Sequence, residues 1–260
     1  MDKNGPDRAG RSGDPKTTRH FPMRTSHFLT ISAALLLTSI AAPAANPSTN
    51  PQPDVWPLPP LEYFIEHLPA PPRAGSYRDR LDLSDAVARQ ASTTSAQMVQ
   101  AKKSYAFNVF YFSDIMGPKF TPKNYPKTAA FFQKLAATAN VVIVGLKNHY
   151  ARERPFQAHP DQIKLFVRNE PGFSYPSGHT TRGRLFALVM GELCPSKQQA
   201  LEASGEQVGV DRILAGEHYR TDLEAGHRLA KMMFLQLQKD PDFLAAVNAL
   251  RQSEWAASPK

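Results

Sequence analysis

From Pro72 onward, apolar residues recur at mixed spacings of three and four, the period of helices with one buried face. The stretch DAVARQASTTSAQMVQAKKSYAFNVFYFSDIM, residues 85–116, reads as a first helical region. TAAFFQKLAATANVVIVGLKNHYARERP, residues 128–155, reads as a second long helix that Pro155 ends. Its VVIV segment alone would suit a strand by propensity, but the helical pattern on both sides decides for helix. TTRGRLFALVMGELC, SKQQALEASGEQVGVDRILAG and TDLEAGHRLAKMMFLQLQ add three more helices, and PDFLAAVNALRQSEW closes the chain. No alternating strands bounded by Asn-Gly turns appear, and no internal repeat. The predicted fold class is all-α, a compact helical bundle.

Ahead of the helices the pattern changes twice. Residues 1–24 carry Lys3, Arg8, Arg11, Lys16, Arg19 and Arg24 against Asp2, Asp7 and Asp14, and the apolar run FLTISAALLLTSIAA follows at 28–42. With an A-x-A-like site at Ala42-Pro43-Ala44, residues 1–45 read as a signal peptide, and Met23 is an alternative start. The run is short and broken by Thr30, Ser32, Thr38 and Ser39, which argues against a membrane anchor. Later in the chain the longest apolar candidate, ANVVIVGL, falls short of a span, so the mature protein is expected to be periplasmic or secreted, without stable membrane insertion. From Pro43 to Pro72 there are ten prolines, too many for a regular helix except a short one at LEYFIEHL. Because Trp56, Tyr63 and Phe64 are costly to expose, residues 46–72 are expected to form an extended arm packed on a single domain that reaches residue 260.

Composition adds little to this. The formal charge is +8 with a pI near 9.6. Removal of residues 1–45 takes six basic and three acidic residues and leaves +5, only mildly basic. That suits a small anionic partner rather than nucleic acid as a polymer. The single cysteine, Cys194, cannot close an intrachain disulfide or build a metal site by itself, and its apolar surroundings suggest a buried thiol.

Three polar clusters carry candidate chemistry. In KNHYARERP, Lys147 and Arg154 lie about two helical turns apart, so a continuous helix would place both cations on one face, where a phosphate would neutralise them. A solvated basic face is the plainer account of that cluster, with Arg152 paired to Glu153 or another carboxylate. In YPSGHT, Ser177 suits an N-cap and Gly178 admits a close ligand. His179 would stand beside the free N–H groups of a helix start, able to donate a proton. A capped helix with a surface histidine accounts equally well for those residues. In DRILAGEHYRTD, Arg212 precedes His218 and Asp222. A carboxylate four residues on can hold Nδ1–H and leave Nε2 as a nucleophile, or simply make a local hydrogen bond. Taken together, three such patterns arise by chance in fewer than about one chain in 10⁶ at average composition.

The arrangement resembles the signature of the type 2 phosphatidic acid phosphatase (PAP2) superfamily, K-x6-R-P, P-S-G-H and S-R-x5-H-x3-D. Within it the chain is most similar to soluble bacterial class A non-specific acid phosphatases, through LPAPPRAGS, YARERPF, YPSGHT and DPDFLAAV. The resemblance implies that superfamily's α-helical fold, shared with vanadium haloperoxidases, and hydrolysis of small phosphomonoesters with no metal and no cofactor. It also implies that Lys147, Arg154, Ser177, Gly178 and Arg212 bind phosphate. His218 would attack phosphorus, Asp222 would orient it, and His179 would act as general acid and base. From a shared ordinary pKa of about 6.5, a neutral His218 and a protonated His179 predict an acidic-to-neutral, bell-shaped optimum.

Two positions depart from the pattern. Asp211 stands where the family has Ser, and could pair with Arg212 and weaken its hold on phosphate, or point outward. Tyr219 stands where many relatives have Trp. A vanadium-dependent haloperoxidase-like enzyme and a non-catalytic periplasmic phosphate-binding protein, inactivated by Asp211, are the alternatives. The preferred ester, phosphotransferase activity and oligomeric state are not legible, and a homo-oligomer is compatible with the sequence.

Overall fold

In the computed structural model, residues 54–256 are described, and every regular element among them is helical. The signal peptide over 1–45 and the first residues of the arm, 46–53, lie outside the described residues. The elements in chain order are α1 (Leu61–His67), α2 (Tyr77–Ala91), α3 (Ser95–Lys103), α4 (Ser113–Met116), α5 (Pro126–Tyr150), α6 (Pro155–Ala158), α7 (Gly178–Leu193), α8 (Gln198–Leu214), α9 (Arg220–Leu237) and α10 (Pro241–Arg251).

The region 85–116, expected as one helical stretch, is divided into α2, α3 and α4, with 3-10 turns at Ser104–Ala106 and Val109–Phe112. The break is local chemistry. Ser92 closes α2, and Thr94 opens α3 with a capping box: its Oγ1 accepts from the Gln97 N–H at 3.2 Å, and Gln97 Oε1 accepts from the Thr94 N–H at 2.8 Å.

VVIV is helical, with Val142 and Ile143 buried while Val141 and Val144 are more than half exposed. The helix stops at Tyr150 rather than at Pro155. There Ala151 takes a left-handed φ of 47° and returns its N–H to the Lys147 carbonyl at 2.9 Å. This run also corrects the expectation about spans. Within Pro126–Ala158 an 18-residue window has a mean hydropathy of 1.5, enough by length and composition to cross a membrane, and 44% of it is buried inside the fold. Polar residues interrupt the apolar string in the sequence, but averaged along the helix the segment is span-like. Its inner face, with Phe131, Phe132, Leu135, Ile143 and Leu146, belongs to the main core.

The arm is packed where it is described. Trp56 is buried against Phe131 and Phe243, with ring centroids 4.9 and 5.2 Å away, and its backbone N–H donates to Thr138 Oγ1 at 3.0 Å. Cys194 is a buried free thiol. Helix α7 runs through the core against α8 and α9. At its crossing with α8 a Cβ on Gly183 would lie 2.5 Å from the Gly205 carbonyl oxygen, so only glycine permits this approach. The polar first turn of α7, from Gly178 to Thr181, is buried, with Thr180 packed against Gly209 of α8 and Gly226 of α9.

Candidate active site

Three chain segments meet at the start of α7. Ser177 is its N-cap, accepting from the Thr180 N–H at 3.3 Å and from Thr180 Oγ1 at 3.0 Å, and Gly178 and His179 form the first turn. A Cβ on Gly178 would lie 3.9 Å from an Arg182 terminal nitrogen and 4.0 Å from Lys147 Cε, which places both side chains beside the first residue of α7.

Lys147 sits in the last turn of α5, and Arg154 lies outside that helix. The two therefore do not share a helical face as the spacing suggested, because the left-handed turn at Ala151 redirects the chain. Arg154 is extended, as a residue before proline tends to be, and Pro155 opens α6. Both still converge on the site. Lys147 Nζ donates to the Phe173 and Ser174 carbonyls, the latter at 3.1 Å. Arg154 is fully buried and donates to the Gly172 carbonyl at 3.2 Å and the Glu217 carbonyl at 3.4 Å. Burial first, and then the neighbouring Arg154 charge, bring the Lys147 ammonium down to about 7.

The third segment begins in the last turn of α8. Gly216, at a φ of 86°, turns the chain so tightly that a Cβ there would strike the Lys164 carbonyl oxygen at 2.3 Å. His218 follows in the connection to α9, and Asp222 lies in the first turn of that helix. His218 Nδ1–H donates to Asp222 Oδ2 at 3.2 Å, which also accepts from the Tyr219 N–H at 2.9 Å. This fixes the tautomer and leaves Nε2 with a lone pair, 3.4 Å from an Arg154 terminal nitrogen. His179 Nε2–H donates to the Tyr105 carbonyl at 2.9 Å, so Nδ1 is its titrating atom. Desolvation pushes both imidazoles well below their ordinary pKa, with Arg182 and Arg212 adding to it at His179 and Lys147 and Arg154 at His218.

Asp211 neither pairs directly with Arg212 nor points outward. It is buried, accepts from Ser104 Oγ at 2.6 Å and from Gln207 at 2.8 Å, and the same Ser104 oxygen accepts from Arg212 at 2.9 Å. The carboxylate thus steadies Arg212 through a hydroxyl. The Tyr219 ring lies 4.0 Å from the Arg152 guanidinium.

Two residues that sequence reasoning left without a role belong to this site. Arg152 donates to Asp222 Oδ1 at 2.7 Å and to Asp82 at 2.8 Å, which holds the second oxygen of the carboxylate beside His218. Asp82 comes from α2 and also accepts from Thr221 at the start of α9. Nothing in the spacing of Arg152 pointed to it, because its partners lie about 70 residues away in the chain on either side. Glu217 is a fully buried carboxylate whose Oε2 lies 3.5 Å from Arg212 while Oε1 has no hydrogen-bond partner among the described residues, and burial pushes its pKa up despite Arg212 and Arg154. The segment between α6 and α7 is pinned by buried Ile163, by paired hydrogen bonds between Gln90 and Lys164, and by the Phe166 N–H to the Ala215 carbonyl.

Residues 130–238 match the PAP2 superfamily, and all eight motif residues from Lys147 to Asp222 fall inside that stretch. Over that stretch the chain is similar to the PAP2 superfamily. It is 32% identical over 148 residues to a non-specific acid phosphatase of Salmonella typhimurium, covering 54% of this chain and 58% of that protein. It is 34% identical over 122 residues to an acid phosphatase of Zymomonas mobilis, covering 45% and 46%. The chain spans about half the length of the curated relatives it matches. Among solved structures, a transmembrane PAP2-type phosphatidylglycerolphosphate phosphatase of Bacillus subtilis superposes with a TM-score of 0.46 at 16% identity, over 69% of this chain and 90% of that one.

Proposed function

We propose that the protein is an exported acid phosphatase that hydrolyses small phosphomonoesters through a phosphohistidine intermediate, without a metal ion. The observation that carries this reading is His218, a buried imidazole with Nδ1–H held by Asp222 and Nε2 beside Arg154. An inert phosphate-binding site has no need of an oriented nucleophile. The matches to proteins named acid phosphatases point to the same reaction class, and the basic and apolar pattern of residues 1–45 supports export to the periplasm or medium.

In this mechanism the phosphoryl oxygens take Lys147, Arg154, Arg212, the Ser177 hydroxyl and the Gly178 N–H as donors. His218 Nε2 forms a bond to phosphorus as the ester P–O bond breaks, and the departing oxygen takes a proton from His179. His179 then removes a proton from water, whose oxygen bonds to phosphorus as the N–P bond breaks. Placement and charge neutralisation supply the rate enhancement. The lowered pKa of His218 keeps the nucleophile neutral even in acid. His179 needs its proton, which burial disfavours first and the Arg182 and Arg212 charges disfavour further. A bound dianion offsets those charges, so substrate and proton enter together and acid favours turnover.

Acid quenching during hydrolysis of a ³²P-labelled phosphomonoester, with EDTA present, should leave label on His218. His218→Ala should abolish that label and lower kcat by about 10³-fold or more. Label retained on the substituted protein would sink the assignment, and activity lost to EDTA would sink metal independence.

A further inference from the structure

Helix α7 carries more than the phosphate cradle. His179, Arg182 and Phe186 follow one another at intervals of three and four, so they share one face of the helix. Alongside that face lies a cleft of about 570 Å³, within the range of small-molecule sites. Its walls are aromatic and apolar, with Phe107, Phe110, Phe132, Ala136 and Phe186, and its charged member is Arg182. Arg182 is also the residue whose guanidinium stands 3.9 Å from a Cβ position on Gly178, and Asn140 of α5 holds it there at 2.8 Å. The other end of the contact is equally direct. Tyr105, whose carbonyl orients His179, lies two residues before Phe107, whose ring is 5.4 Å from Phe186. Arg182 therefore joins the cleft to the first turn of α7, and Phe107 lies two residues from the carbonyl that orients the proposed proton donor.

We infer that this cleft receives the organic group of the substrate, and that the enzyme prefers phosphomonoesters with an apolar alkyl or aryl group over sugar and glycerol phosphates. The inference rests on the phosphatase reading above and adds the substrate class. The polar groups support it, since an anionic head meets Arg182 and the cradle. Of the three amides in the lining, Asn140 is engaged by Arg182, Asn108 by the Phe110 N–H and the Ala106 carbonyl, and Gln133 lies at the exposed rim. A hydroxyl-bearing group deep in the cleft is therefore left desolvated and unpaired. An apolar chain instead gains by leaving water.

Two series of ligands test this with leaving groups of matched reactivity. Calorimetry with ethyl-, butyl- and hexylphosphonate reads binding without turnover, and kcat/KM for ethyl, butyl and hexyl phosphate against glycerol 1-phosphate reads catalysis. Affinity and kcat/KM should both rise with chain length, by up to about fourfold per buried methylene. Ala136→Phe, which fills the cleft, should bring the hexyl ligand down to the level of the ethyl one and leave ethyl unchanged. Gln133→Trp at the exposed rim of the cleft serves the same purpose if Ala136→Phe melts early. Equal affinity along the phosphonate series, or equal loss for ethyl and hexyl ligands in both variants, would overturn the inference. Failure to hydrolyse even ethyl phosphate, with chain-length-dependent phosphonate binding intact, would overturn the phosphatase reading and leave the cleft assignment standing.

Discussion

At Lys147 the tertiary environment sets how many cations the site holds. The ammonium is brought down to about 7 by burial and by Arg154, so its charge is present below that pH and is lost above it. Sulfate keeps one charge state across this range and probes the effect directly as a competitive inhibitor. Its Ki is expected to weaken by about tenfold between pH 5.5 and 8.5, the scale of one charge-assisted hydrogen bond. Lys147→Arg, with a cation that does not titrate there, should flatten that dependence. A Ki independent of pH in the unsubstituted protein would show that Lys147 stays charged. The eight candidate residues stand out in the sequence because the proposed chemistry needs particular side chains at particular intervals. The supports of those residues could not. Arg152 and Asp82 secure Asp222, and Ser104 links Asp211 to Arg212, across chain separations that carry no periodic signal.

Helix α7 shows how an element places chemistry. Its N-terminal turn, a position usually solvated, is buried against Gly209 and Gly226, and further along Gly183 and Gly205 let α7 and α8 touch backbone to backbone. Gly183→Ala would set a methyl 2.5 Å from a carbonyl oxygen, so the helices must separate. The expected loss is about 1–3 kcal/mol, read as a drop in Tm of roughly 2–10 °C, with KM rising as the cradle loosens. An unchanged Tm would mean that the crossing yields at no cost. Helix types were legible from the three-and-four spacing. Helix ends were legible only where a cap announced itself, as at Thr94. At Ala151 an ordinary alanine adopts the left-handed conformation, and no residue preference marks that stop.

Across the whole molecule, the proline-rich arm is anchored to the core through buried Trp56, Phe64 and Leu68. Trp56 fills a pocket between α5 and α10, roofed by Lys134 at 4.8 Å from its ring. Trp56→Ala should cost about 3–5 kcal/mol, measured by denaturant unfolding, with little change in kcat for the molecules that remain folded. A loss below about 1 kcal/mol would mean that the arm adds nothing to the core. The sequence by itself determined the helical class, the candidate residues of the cradle and the need to bury the aromatic residues of the arm. These follow from periodicity, from residue chemistry and from the cost of exposing large rings. The tertiary structure decided which side chains hold those residues in place, how Asp211 can serve Arg212, and where the apolar cleft lies relative to His179. Those relations join residues far apart in the chain, and only the packing of α2, α5, α7, α8 and α9 brings them within hydrogen-bonding reach.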